Sequence, residues 1–112
     1  MIPLEAVMMQ SPEYSLRFAS ERRRDDRLDV ALQGEALDIG GSRQPVRIRN
    51  LSHQGTMFEA HYLWNVGGRI WIFFPSKLAV NARIVWAHGG RYGCEFLRRL
   101  SPGELILAQA RS

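Results

Sequence analysis

Val80-Asn81-Ala82-Arg83-Ile84-Val85-Trp86-Ala87, His88-Gly89-Gly90 and Arg91-Tyr92-Gly93-Cys94-Glu95-Phe96-Leu97 run on without a break, and this stretch decides the fold. Residues of an extended strand point alternately to its two faces. Val80, Ala82, Ile84 and Trp86 therefore share one face, and Tyr92, Cys94 and Phe96 share one face of the next segment; both sets read as core. Between them, His88-Gly89-Gly90 supplies the positive-φ positions of a tight hairpin turn. The stretch is two antiparallel strands.

Working outward, the same punctuation recurs. Gly40-Gly41, Gly55, Gly67-Gly68 and Pro75-Ser76 cut the chain into short segments rich in Val, Ile, Phe and Trp. The expected strands are Leu28–Leu37, Gln44–Leu51, Thr56–Tyr62, Arg69–Phe74, Leu78–Ala87 and Arg91–Leu97. Strands of this number and length favour an all-β small barrel or sandwich. After them, Ser101-Pro102-Gly103-Glu104 reads as a capping box with proline at the first helical position, predicting a short helix over Pro102–Ala110. Its Leu105, Ile106 and Leu107 are expected to cover an opening or flank of the barrel. Residues 1–20 show no clear period and read as an N-terminal extension or a partner-binding or dimerising arm, leaving 21–112 as the domain. Trp64, Trp71 and Trp86 read as core or hairpin packing.

Composition bounds the rest. A chain of 112 residues, 46% of them hydrophobic, suits one compact domain. Lys and Arg total 15 against 11 Asp and Glu, for a net charge of +4, and Lys77 is the single lysine. Arginine presents a planar fork suited to phosphate and base edges, so the balance points to an anionic partner without requiring a nucleic-acid polymer. Cys94 is the single cysteine, which excludes an intrachain disulfide and leaves the cytoplasm as the expected compartment. The longest apolar run, Ile70 to Phe74, is far below the roughly 18–20 residues that span a bilayer.

Two polar clusters carry the candidate chemistry. Glu21-Arg22-Arg23-Arg24-Asp25-Asp26-Arg27 stands immediately before the first strand; it is either a self-neutralising charge run or a basic segment able to fold over a ligand. Asn50-Leu51-Ser52-His53-Gln54-Gly55 runs from the end of one strand through the next turn. An amide reads donors and acceptors on a base edge, a hydroxyl donates to phosphate, and glycine allows a close approach. Parity conflicts with this use, because Asn50 and Ser52 share the phase of the apolar Val46 and Ile48. A bulge or the strand end must shift them out of the core phase if they meet a ligand.

Taken together, Arg23-Arg24-Asp25-Asp26-Arg27 and Asn50-Leu51-Ser52-His53-Gln54-Gly55 resemble the Arg-x-x-x-Arg and Asp/Asn-x-Ser-x-x-Gly elements of PilZ domains, over roughly Glu21 to Ala110. The resemblance implies a six-stranded antiparallel β-barrel that binds the bacterial second messenger cyclic di-GMP on its outside. Arg23 and Arg27 would supply forks for guanine and phosphate, Asn50 would contact a guanine edge, Ser52 would bond a phosphate or guanine group, and Gly55 would keep the turn open. Arg22 is an extra cation that in some PilZ domains accompanies two stacked ligands in place of one; Arg24 and His53 are further candidates near the ligand. The implied protein is a non-enzymatic receptor whose Arg loop orders on binding and signals to an unidentified protein partner, in pathways such as motility or biofilm formation.

Dispersed His53, His61 and His88 with one thiol give no metal-ligand spacing, and no nucleophile elbow or phosphate loop of the Gly-x-x-x-x-Gly-Lys type is present. Neither a metal nor another cofactor is expected, nor is an enzyme. Two other functions remain open: a small β-barrel binding single-stranded nucleic acid through Arg contacts and aromatic stacking, and a PilZ-type adaptor that works through protein contacts without ligand.

Overall fold

A computed structural model describes residues 27–111. The segment 1–20 and Arg22, Arg23 and Arg24 lie outside the described residues. Within them are six strands, β1 (Leu28–Asp38), β2 (Arg43–Leu51), β3 (Gly55–Glu59), β4 (Arg69–Phe73), β5 (Ala79–His88) and β6 (Arg91–Phe96), followed by helix α1 (Pro102–Gln109). All neighbouring strands are antiparallel, and the sheet closes in the order β1-β2-β3-β6-β5-β4, with β4 pairing back to β1. The expected barrel is the observed one. Gly89 and Gly90 both take positive φ, 57° and 80°, at the β5–β6 hairpin, as its turn requires.

The interior follows the two-residue period. Leu32 and Ala36 from β1, Val46, Ile48 and Leu51 from β2, Phe58 from β3, Ile70 and Ile72 from β4, Val80, Ala82 and Ile84 from β5, and Tyr92, Cys94 and Phe96 from β6 form one buried cluster. Each large member contributes about 1.5–3 kcal/mol by leaving water. The barrel is plugged at both ends. At the end where β3 finishes, the loop 60–68 turns Trp64 inward, edge-on to Phe58 and Tyr92, with centroids 5.7 and 5.2 Å away. The Trp64 indole Nε1 donates to Asp38 Oδ2 at 3.1 Å, and the Tyr92 hydroxyl donates to the Tyr62 carbonyl at 2.6 Å. At the other end, Leu100 and Ala108 are buried and Leu105 packs against the core.

Four expectations need correction. The third strand does not reach Tyr62: after Glu59 the chain leaves the ladder, Ala60 N–H bonding the Gly90 carbonyl, so that Trp64 can fill the barrel mouth. Trp86 is not core. The β5–β6 register slips between Ile84 and Trp86, making Val85 the extra residue of a bulge, and the indole swings to the outer wall with 44% of its surface exposed. Trp71 is also an outer-wall residue, alternating with buried Ile70 and Ile72. On α1, Leu105 and Ala108 face the barrel whereas Ile106 and Leu107 face solvent. Among the described residues no helix is long and apolar enough to cross a membrane.

Candidate ligand-binding site

The parity conflict in β2 is resolved by another bulge. Ile48 pairs with Phe58 but Asn50 pairs with Met57, so Arg49 is an extra residue and the inward phase passes from Val46 and Ile48 to Leu51. Asn50 thereby leaves the core phase and becomes half-buried on the outside of the barrel. Its side-chain amide makes no hydrogen bond among the described residues, while its backbone carbonyl accepts from the Thr56 hydroxyl at 2.6 Å.

Lateral pairing extends this position into a row. Asp29 lies opposite Asn50, Asn50 opposite Met57, Met57 opposite Gly93, and Gly93 opposite Trp86. Paired residues of an antiparallel ladder project to the same face. Gly93 is the exception that shapes the surface: a methyl group there would collide with Nε1, Cε2 and Cδ1 of Trp86, so the indole lies across the space that a side chain would fill. Both bulges are necessary for the row, since without the slips Asn50 and Trp86 would point into the core.

Above the row, the Ser52–Gly55 turn forms the rim. Ser52 N–H donates to the Gly55 carbonyl at 2.9 Å, while Ser52 Oγ accepts from the N–H groups of Gln54 and Gly55, both at 3.2 Å. The hydroxyl thus holds the turn with its lone pairs, and its own hydrogen has only a long 3.4 Å approach to the Gly55 carbonyl. Gly55 takes no positive φ; a Cβ there would strike the Cys94 carbonyl, so its glycine is required by strand packing. Arg27, Asn50, Ser52 and Gly55 all line one open cleft of about 550 Å³, together with Trp86 and Gly93. Glu95, also on the rim, is paired with Arg83 at 3.1 Å.

His53 is bonded to the segment that precedes α1. Its backbone carbonyl accepts from Leu100 N–H and its Nδ1 meets the Leu100 carbonyl, each at 2.8 Å. The imidazole ties the turn to the segment that leads into α1, and it is not among the residues lining the cleft. Sequence reading also missed Trp86, Met57 and Gly93. A glycine inside an otherwise well-alternating strand was the available signal for a close approach there.

The family model for the PilZ domain matches residues 21–110. The chain belongs to the PilZ domain family. Its PilZ barrel is also similar to a crystal structure of the PilZ domain of CeSA from a cellulose-synthesizing bacterium, with a TM-score of 0.58 and 17% identity, covering 75% of this chain and 91% of that one. At that identity the likeness is one of fold. Comparison with curated proteins gives no match. The matched residues 21–110 include both motifs; of the described residues that line the cleft of this PilZ barrel, Arg27 stands just before β1 and Asn50, Ser52 and Gly55 run from the end of β2 to the start of β3.

Proposed function

We propose that this PilZ domain is a receptor for cyclic di-GMP, binding it on the outer wall of the barrel in the cleft between Arg27 and Trp86. The observation that carries the reading is the convergence of Arg27, Asn50, Ser52 and Gly55, from two motifs apart in sequence, around one cleft floored by an indole on a glycine. Each group has chemistry suited to a guanine dinucleotide. The Arg27 guanidinium forms a fork for phosphate or for guanine O6 and N7. The Asn50 amide is available to read a guanine edge, the Ser52 hydrogen is directed to a phosphate oxygen, and the Trp86 face stacks on a base. Arg23 is assigned to the same ligand from its place in the motif, and Arg22, Arg24 and His53 to its surroundings. The dianion cross-links the segment before β1 to the rigid wall, and the ordered segment is the surface that a protein partner reads.

Isothermal titration calorimetry with cyclic di-GMP tests this. Saturable binding is expected for the parent. It should weaken by about tenfold or more in Arg27→Ala and Asn50→Ala, from loss of a charge-assisted or amide hydrogen bond, and by roughly 5- to 100-fold in Trp86→Ala from loss of base stacking. Two ligands per chain at saturation would support the extra-cation role of Arg22, and one would remove it. No binding by the parent, with an oligonucleotide of similar charge binding instead, would replace the receptor reading by the nucleic-acid one.

A further inference from the structure

Directly below the ligand row the outer wall carries a second lateral row of different chemistry. Gln33 lies opposite Arg47, Arg47 opposite Glu59, Glu59 opposite Arg91, and Arg91 opposite His88. Met57 and Glu59 are two residues apart on β3, which separates the rows by about 7 Å. The bulge residue Arg49 adds a further cation, its Nη1 reaching Glu59 Oε1 at 3.4 Å, while Arg91 Nε reaches Glu59 Oε2 at 3.3 Å. One half-buried carboxylate thus meets two guanidinium groups, with Arg47 as its cross-strand neighbour. Arg47 forms no ion pair among the described residues, and the side chain of Arg91 remains 60% exposed. The row borders a cleft of about 440 Å³ that His61 also lines.

We infer that this row is a docking surface for an acidic, extended segment of a partner protein. Glu59 takes one N–H contact from each of Arg49 and Arg91, and the other donors of both forks have no partner among the described residues. Arg47 and Arg91 stand on the strands to either side of β3, about 10 Å apart at two inter-strand spacings. Carboxylates two residues apart in an extended chain share one face about 7 Å apart, and the long side chains of Arg47 and Arg91 close the remaining gap. A nucleic acid fits less well, because the row contains no Trp, Tyr or Phe face for a base and offers only the smaller His88 ring, the outward indole belonging to the row above. The sheet is a closed barrel, so the segment is held by side chains, not by strand addition. The inference is separate from the nucleotide reading, since it uses other residues and is tested without nucleotide.

The test is fluorescence anisotropy of a labelled peptide of alternating Glu and Ser, run on the full chain at about 0.15 M salt, where exposed charges act only over roughly 8 Å. Arg47→Glu/Arg91→Glu is expected to lose about tenfold or more in affinity, and a control with the same charge change away from the row, Arg69→Glu/Arg111→Glu, less than about threefold. Glu59→Gln frees the forks and should tighten binding by about two- to fivefold, a gain that misfolding does not produce. Equal losses in the row and control variants, no gain in Glu59→Gln, or stronger binding of a single-stranded oligonucleotide of equal charge would each overturn the proposal.

Discussion

Gly55 and Gly93 both lack a side chain because something else occupies its space, yet the occupant differs and so does the expected effect of one methyl group. At Gly55 the obstacle is the Cys94 carbonyl, part of the β3–β6 ladder, and backbone cannot step aside. Gly55→Ala should therefore destabilise the barrel by about 1–3 kcal/mol in denaturant unfolding. At Gly93 the obstacle is the Trp86 indole, a half-exposed side chain able to rotate away. Gly93→Ala should cost less than about 1 kcal/mol and should instead weaken cyclic di-GMP binding, as displacement of the stacking face would. Cys94 provides a third residue-scale measurement. Burial pushes its thiol up to about 12, so a disulfide reagent at pH 8 should react with it only as fast as the barrel opens, and at the free-thiol rate in denaturant. None of these contrasts was legible in sequence, where Gly55 reads as a turn glycine that allows a close approach and Gly93 as an unremarked glycine within an alternating strand. Their reasons lie in atoms from strands distant along the chain.

Among the elements, α1 is the one whose local signal translated most directly into structure. Ser101 Oγ accepts from Glu104 N–H at 3.1 Å and Glu104 Oε1 accepts from Ser101 N–H at 2.8 Å, the reciprocal cap expected from the motif. Capping depends on residues within four positions, which is why it is readable without a fold. Ser101→Ala should lower stability by about 1 kcal/mol. The Glu104 carboxyl is held at about 2, below its ordinary 4.5, first by the Arg98 side-chain hydrogen bond and then by the Ser101 backbone. A carboxyl with a lowered folded-state pKa adds stability above its unfolded pKa and loses it as the pH falls through the folded one. The stability difference between the parent and Glu104→Gln should thus be complete at pH 7, shrink below about 4.5 and vanish near 2, in thermal melts across that range. Strands were legible by period up to the point where a bulge intervened. β5 read as one unbroken alternation, and β2 as one in which Asn50 could meet a ligand only through a bulge or a strand end; in each a single extra residue, Arg49 or Val85, changes which side chains face out. That choice depends on the partner strand's register, which no local pattern encodes.

For the whole molecule, a ligand that binds only the folded barrel stabilises it by mass action. Cyclic di-GMP at one hundred times its dissociation constant should add about 2.7 kcal/mol to unfolding. For a chain of this size that raises the melting temperature by roughly 10–20 °C, while Asn50→Ala should show a clearly smaller rise at the same nucleotide concentration. An unchanged melting temperature in the parent would contradict the receptor reading. Sequence alone determined the parts that rest on short-range chemistry: segments of strand period, the Gly89-Gly90 hairpin, the capped helix, and two motifs whose order and spacing resemble a PilZ domain. The tertiary structure alone decided which side chains share a surface. Pairing of β1 with β2 brought Arg27 and Asn50 to one cleft, the two bulges turned Asn50 and Trp86 outward, and lateral register assembled the nucleotide row and the Arg47–Glu59–Arg91 row beside it. The physical reason is that periodicity specifies a face within one strand, whereas a site on a sheet runs across strands, and its members are chosen by hydrogen-bond register between segments that meet only when the barrel closes.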